Sequence, residues 1–170
     1  MREMNGAPWW RRLVAALAPP PVDVAERLAE DYAAEVRLAH DLAEDAETLI
    51  RYPQPRAVVL KAAGRAGERG RRLRRALEDL GHPVIEPGPG SGLRAASAGE
   101  RLRARVGELG TMRDAYLTGA YAVEREHPDI ATLLHDHHRA VEGDRRDLIW
   151  TLARLAETAV NPTSAESVAA

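Results

Sequence analysis

The connector at residues 81–99 most limits what this chain can fold into, because it is rich in glycine and proline and cannot continue a helix. The segments on both sides of it carry apolar residues at helical spacing. The connector therefore divides the chain into two halves. Each half predicts a pair of long helices joined by a short turn.

Four segments alternate apolar positions by three and four residues, the spacing that lines one face of a helix. The first starts at the N-cap residue Asp23, the second stops at Gly81, the third starts near Gly99, and the fourth opens at Pro128 or Asp129. The predicted fold class is all-α, an antiparallel four-helix bundle over residues 23–160.

The lengths of the links indicate how these helices are connected. Each helix is about 40 Å long, and the links at 52–55 and 127–129 are too short to join anything but antiparallel neighbours. Residues 81–99 extend to about 55 Å. This is enough for a long crossover between helices two and three. A loose turn within a simple up-and-down bundle is the alternative.

The composition favours helices and excludes several classes of function. Alanine, arginine, leucine and glutamate dominate, aromatic residues make up 4%, and there is no phenylalanine. The absence of cysteine excludes disulfides and thiol chemistry and fits a reducing compartment. No apolar run approaches the roughly 20 residues of a membrane span, and no secretory signal pattern is present. We expect a cytoplasmic location.

Charge is distributed unevenly along the first hairpin. Residues 23–50 hold nine acidic and two basic side chains, whereas residues 56–80 hold eight basic and three acidic ones. Antiparallel helices of opposite charge attract each other. The arginine-rich stretch at 71–75 is typical of nucleic-acid contacts, but the acidic first helix is available to neutralise it. We therefore predict no nucleic-acid partner.

The bundle resembles the ferritin-like superfamily, of the rubrerythrin and bacterioferritin type. The resemblance covers residues 23–160 and rests on helix lengths, hairpin pairing and the long crossover, with Glu35, Gly81-His82-Pro83 and Tyr116 as local similarities. It implies a centre of two iron or manganese ions with redox or storage activity. Such a centre takes a glutamate from helices one and three and a Glu-x-x-His pair from helices two and four.

Most of those ligands are missing from this sequence. Helix two has Ala66 and Arg69 in the place of its pair, and in helix four Glu142 is followed three residues later by Arg145. Glu108 is the nearest candidate in helix three. A weak alternative metal set is therefore made of Glu35, Glu108, His138 and Glu142.

We predict instead that fixed charges replace the metal, because a guanidinium stays protonated and does not ligate cations. Counted from the helix ends, this central polar layer consists of Glu35, Arg69, Arg113, Asp144 and Arg145. The alternative is that some of these arginines reach solvent and only Glu35 is internal.

The histidines of the fourth helix are the other candidates for metal binding. Adjacent residues in a helix point about 100° apart, so at most two among His135, Asp136, His137 and His138 face one ion. We expect one core histidine, His138, hydrogen-bonded to a tyrosine or glutamate across the bundle. No nucleophile, phosphate-binding or dinucleotide motif occurs, so no catalytic or cofactor-binding residues are predicted.

Residues 8–17 combine Trp9, Trp10, Arg11 and Arg12 with an apolar continuation that ends at prolines 19–21. They predict a short amphipathic helix within an N-terminal segment, residues 1–22. This helix docks on its own bundle or a symmetry mate, or it contacts a partner protein or a membrane surface. Residues 161–170 predict a disordered tail.

The leading hypothesis for function is a non-catalytic ferritin-like bundle, a structural or protein-interaction module that self-associates as a dimer and has lost its metal centre. One alternative is a di-metal iron or manganese protein. The other is an adaptor that works through Trp9 and Trp10.

Overall fold

The structure, a computed structural model, describes residues 23–88 and 97–160. In these two ranges the chain forms four α-helices and no strand. Helix α1 is Val24–Glu47, α2 is Pro53–Asp79, α3 is Ala98–Val123 and α4 is Pro128–Val160. The all-α prediction is confirmed for this part of the chain. The predictions for residues 1–22 and 161–170 lie outside the described residues.

Local hydrogen bonds set the ends of three helices. The carboxylate of Asp23 accepts from the first backbone amides of α1, as predicted for an N-cap. Ser97 and Glu100 form a reciprocal capping box at the start of α3. Gly81 takes a positive φ of 70°, which lets His82 N donate to Leu77 O at 3.0 Å and closes α2. These local contacts explain where α1 and α3 begin and where α2 ends.

The bundle consists of two hairpins, and each helix of one hairpin packs against one helix of the other. Helix α1 packs on α2 and α3 packs on α4, while the hairpins meet through α1 on α3 and α2 on α4. Near the start of α1, Arg27 donates to Ala115 O in the second half of α3. Near the end of α1, Asp45 pairs with Arg101 at the start of α3. Helices α1 and α3 are therefore antiparallel.

The core contains mostly leucine and alanine. Burying a leucine contributes about 1.5–3 kcal/mol, and several such side chains are fully buried: Leu28, Leu38, Leu42, Leu73, Leu77, Leu102, Leu109 and Leu148. Charged side chains also lie inside the bundle, on all four helices. Since an unpaired buried charge is very costly, these groups must find partners, and their pairing defines the candidate site.

After Gly81 the chain turns back toward the α1–α2 pair. The carboxylate of Glu86 accepts from the Tyr32 hydroxyl at 2.8 Å and from Arg74 Nη1 at 3.0 Å. Val84 packs partly against the core. The first residues of the connector are thus attached to the side of the first hairpin. None of the helices in the described part of the chain is long and apolar enough to cross a membrane.

Two glycines of the first hairpin test these backbone assignments. Gly64 lies in α2 with open space around an added Cβ, so Gly64→Ala should raise the free energy of unfolding by about 1 kcal/mol through helix propensity. Gly81→Ala should lower it by about 1 kcal/mol, because its positive φ strains an L-residue. Urea denaturation measures both changes. Equal effects of the two substitutions would contradict the assignment of Gly81 as the residue that ends α2.

Candidate functional site: a buried ion-pair network

The centre of the bundle holds a guanidinium between two carboxylates. Arg69 donates from Nε to Glu35 Oε1 at 2.6 Å and from Nη2 to Glu35 Oε2 at 3.0 Å. Its Nη1 donates to Asp144 Oδ2 at 2.6 Å. All three side chains are buried. The bidentate pair is the strongest geometry available to arginine and a carboxylate.

Two further side chains complete this group. The hydroxyl of Tyr116, itself buried, donates to Glu35 Oε1 at 2.7 Å. Arg65, which is partly exposed, forms an ion pair with the other oxygen of Asp144 and donates to Asp147 at 2.7 Å. We call Glu35, Arg65, Arg69, Tyr116 and Asp144 the central network.

Each of the four helices supplies a buried member. Glu35 lies on α1, Arg69 on α2, Tyr116 on α3 and Asp144 on α4. Helices α1 and α2 are in close contact at this level, because a Cβ added at Gly70 would lie 3.7 Å from Glu35 Cβ, an ordinary packing distance. The contacts therefore align all four helices at one height of the bundle.

Burial and ion pairing act in opposite directions on the charged groups of the central network. Burial opposes the charge on Arg69, but the carboxylates of Glu35 and Asp144 outweigh it, so the pKa of the guanidinium is raised further. Burial also raises the pKa of Glu35, against the opposing effects of Arg69 and Tyr116. Burial and the Glu35 charge raise the pKa of Tyr116 well above its usual value. Two carboxylates facing two guanidiniums leave the group neutral as a whole.

A second ion-pair group lies between α1 and α3. Arg105 donates from Nε to Asp45 at 3.0 Å and pairs through Nη1 with Asp41 and Glu108, each at 2.9 Å. Arg101 donates to the other oxygen of Asp45 at 3.1 Å. Sequence analysis missed this group. Its signal is two acidic residues four apart on α1 and two arginines four apart on α3.

The structure brings three of the five predicted layer residues together, namely Glu35, Arg69 and Asp144. Arg113 and Arg145 lie outside the central network. Arg113 pairs near the surface with Asp114 at 2.8 Å and with Glu142 at 3.2 Å, and Arg145 is 3.9 Å from the same glutamate. The buried position is taken in each case by the preceding residue, Met112 on α3 and Asp144 on α4.

The four residues of the alternative metal set do not converge, because each contacts an arginine instead. Among residues 23–88 and 97–160, no three histidine, aspartate or glutamate side chains form a group that could hold a metal ion. The contacts are Glu35 with Arg69, Glu108 with Arg105, Glu142 with Arg113, and His138 Nδ1 with Arg113 O at 3.0 Å.

The prediction that His138 is the core histidine is wrong. His138 is only partly buried and contacts a backbone oxygen of α3, whereas His137 is fully buried. The ring of His137 meets Tyr116 edge-on, with centroids 5.3 Å apart. Neither ring nitrogen has a hydrogen-bond partner within the described chain. Burial, together with nearby arginine charges, lowers its pKa to about 3.

Comparison of the chain with protein-family models, curated proteins and solved structures finds no match. The central network is therefore characterised by the geometry of its own contacts. That geometry holds charge in fixed positions and satisfies it internally. Both carboxylate oxygens of Glu35 and Oδ2 of Asp144 are already engaged by Arg69 and Tyr116.

Replacing Arg69 tests how much the stability of the fold depends on every member of the central network being present. Arg69→Met leaves Glu35 and Asp144 buried without their main partner, so the free energy of unfolding should fall by about 3–5 kcal/mol. Denaturant titration measures this loss. Arg74→Met removes an arginine with exposed ion pairs and should have a much smaller effect.

A matched variant separates lost pairing from lost volume. Replacing the buried members together by apolar residues (Glu35→Leu, Arg69→Met, Tyr116→Phe and Asp144→Leu) should restore stability to the wild-type level or above it. If this variant is as unstable as Arg69→Met alone, uncompensated charge is not the cause of the loss.

The buried His137 should give the fold an acid-sensitive component. Below pH 6.5 the unfolded chain binds a proton at this residue, while the folded chain does not until about pH 3. Stability is therefore lost as the pH falls, by about 2 kcal/mol between pH 6.5 and pH 5.

Comparing denaturation of the wild type and His137→Leu at several pH values measures this component, which the variant should lack. His40→Gln removes an exposed histidine and serves as the control, so it should keep the wild-type slope. Parallel pH profiles for wild type and His137→Leu would contradict the assignment.

Proposed function

We propose that the chain is a non-catalytic helical bundle with ferritin-like wiring, which acts as a structural or protein-interaction module. In this proposal the central network occupies the place of a di-metal centre. The observation that carries it is the position of Arg69, whose fixed positive charge lies between two buried carboxylates of α1 and α4.

The directions of the helices support the proposed wiring. Glu35 with Arg69, and Glu47 with Arg56, pair positions that run in opposite directions along α1 and α2. Helix α3 is also antiparallel to α1, so α2 and α3 point the same way. This supports a connector that passes from one end of the bundle to the other, as a long crossover does. The attachment of Glu86 beside Tyr32 and Arg74 fits that course.

The chemistry of the centre supports the loss of a metal. In ferritin-like proteins the second helix would offer a glutamate and a histidine where this chain has Ala66 and Arg69. An arginine remains protonated and cannot ligate a cation. Its three short contacts also use the carboxylate oxygens of Glu35 and Asp144 that a metal ion would need. The positive charge of a guanidinium thus substitutes for that of a cation.

Exposed apolar side chains support the interaction part of the proposal. On the second hairpin, Trp150 is 67% exposed, Tyr121 is 63% exposed and Ile149 is 42% exposed. Aromatic residues are enriched in protein interfaces. The chain has only three tryptophans, so the exposure of Trp150 favours a surface that contacts another protein. The simplest such contact is self-association into a dimer.

Metal loading tests the proposal directly. Purified protein incubated with Fe²⁺ or Mn²⁺ and then desalted should retain no stoichiometric metal by elemental analysis. The Ala66→Glu/Arg69→His double variant replaces the guanidinium with the pair of ligands that helix two lacks, beside Glu35 and Asp144, and should retain more metal than the wild type under the same conditions. Retention of about two ions per wild-type chain, the number of a di-metal centre, would contradict the proposal.

A further inference from the structure

A groove of about 370 Å³ opens at one end of the bundle. It lies where the end of α2 meets the α3–α4 link and the first turns of α4. We call it the end groove. Its lining includes Asp79, Leu80, Glu126, Asp129, Ile130 and Leu133.

The lining of the end groove combines apolar residues, here called its floor, with acidic residues, here called its rim. Leu80, Ile130 and Leu133 supply apolar surface, and Leu80 remains 41% exposed. Three carboxylates line the groove, and no lysine or arginine is among the described residues that form it. Such a surface favours an occupant that carries large apolar side chains next to positive charge.

We propose that residues 8–17 of the same chain occupy the end groove. In this arrangement Trp9 and Trp10 cover the apolar floor, and Arg11 and Arg12 face the acidic rim. Tryptophan and arginine are the residues that most often anchor interfaces, since each combines a large contact area with polar contacts. Of the segments of this chain outside the described ranges, only this one pairs tryptophans with adjacent arginines.

The position of α1 makes this docking geometrically accessible. The pairing of Arg27 with Ala115 O, and of Asp45 with Arg101, places the start of α1 at the same end of the bundle as the end of α3. The end of α2 and the start of α4 lie there too, because each is antiparallel to its hairpin partner. Residues 1–22 therefore enter the fold at the end that carries the groove.

The linker is also long enough. Residues 18–22 contain three consecutive prolines and extend about 15 Å at the spacing of a polyproline helix. Helix α1 is diagonal to α4 in the bundle, and neighbouring helices packed 8–10 Å apart give a diagonal of about 14 Å. The proline-rich linker can thus carry residues 8–17 across the end of the bundle without unwinding α1. The inference does not depend on the fate of the metal centre.

Tryptophan fluorescence tests the docking in the full chain. A Trp150→Phe background leaves Trp9 and Trp10 as the only tryptophans. Their emission should be at shorter wavelength, and their quenching by acrylamide weaker, than in a synthetic peptide of residues 1–22. Adding Leu80→Glu puts a charge on the groove floor and should raise quenching to the peptide's value.

A closely matched control is available on the same hairpin. Leu60 lies on α2 outside the groove and is 40% exposed, against 41% for Leu80. Leu60→Glu should therefore leave the protection of both tryptophans unchanged. Circular dichroism verifies that both variants keep the helical bundle.

A second pair of variants tests the acidic rim. Glu126→Lys combined with Asp129→Lys should increase quenching of the tryptophans and remove its dependence on salt. Glu124→Lys, an exposed position beside the groove but outside its lining, should do neither.

Four outcomes would overturn the proposal. Quenching in the full chain equal to that of the free peptide would mean that the segment does not dock. Equal protection in Leu80→Glu and Leu60→Glu would place the segment elsewhere. Protection that is lost on dilution would assign the groove to a second copy. Protection that arises only with phosphatidylcholine–phosphatidylglycerol vesicles would assign residues 8–17 to a membrane surface.

Discussion

The contact on which the rest of the bundle depends is the double hydrogen bond between Arg69 and Glu35, extended to Asp144. Leucine side chains pack acceptably over a range of helix rotations, because dispersion and burial have little directionality. Buried ion pairs do not share this freedom, since a charge without its partner in a dry interior is very costly. The central network therefore fixes the rotation and height of α1, α2 and α4 relative to one another, and the Tyr116 hydroxyl extends the constraint to α3.

Much of the architecture was accessible from the sequence because its signals are local. The N-cap Asp23, the positive-φ Gly81 and the prolines of the first link end or begin helices through backbone chemistry that needs no tertiary context. With the helix ends defined, counting to the midpoints was enough to group Glu35 with Arg69. Charges at equal height on neighbouring helices have few other partners.

The residues whose burial was predicted wrongly have one explanation in common. A stripe spaced by three and four residues is several positions wide, so the sequence does not distinguish His137 from His138, or Met112 from Arg113, as the one that faces inward. The choice depends on rotations that are imposed by contacts between helices. The group around Asp45 and Arg105 was missed for the same reason, since its two halves lie on helices separated by the connector.

The completeness of the central network also has a consequence for how sequences with this fold diverge. A change at Glu35, Arg69 or Asp144 alone leaves a buried charge without its partner, whereas replacing the three together leaves none of them buried and unpaired. Drift at these sites is thus confined to combinations in which every buried charge keeps a partner. Relatives of this chain should carry the trio unaltered or replaced as a set, so that the three positions vary jointly.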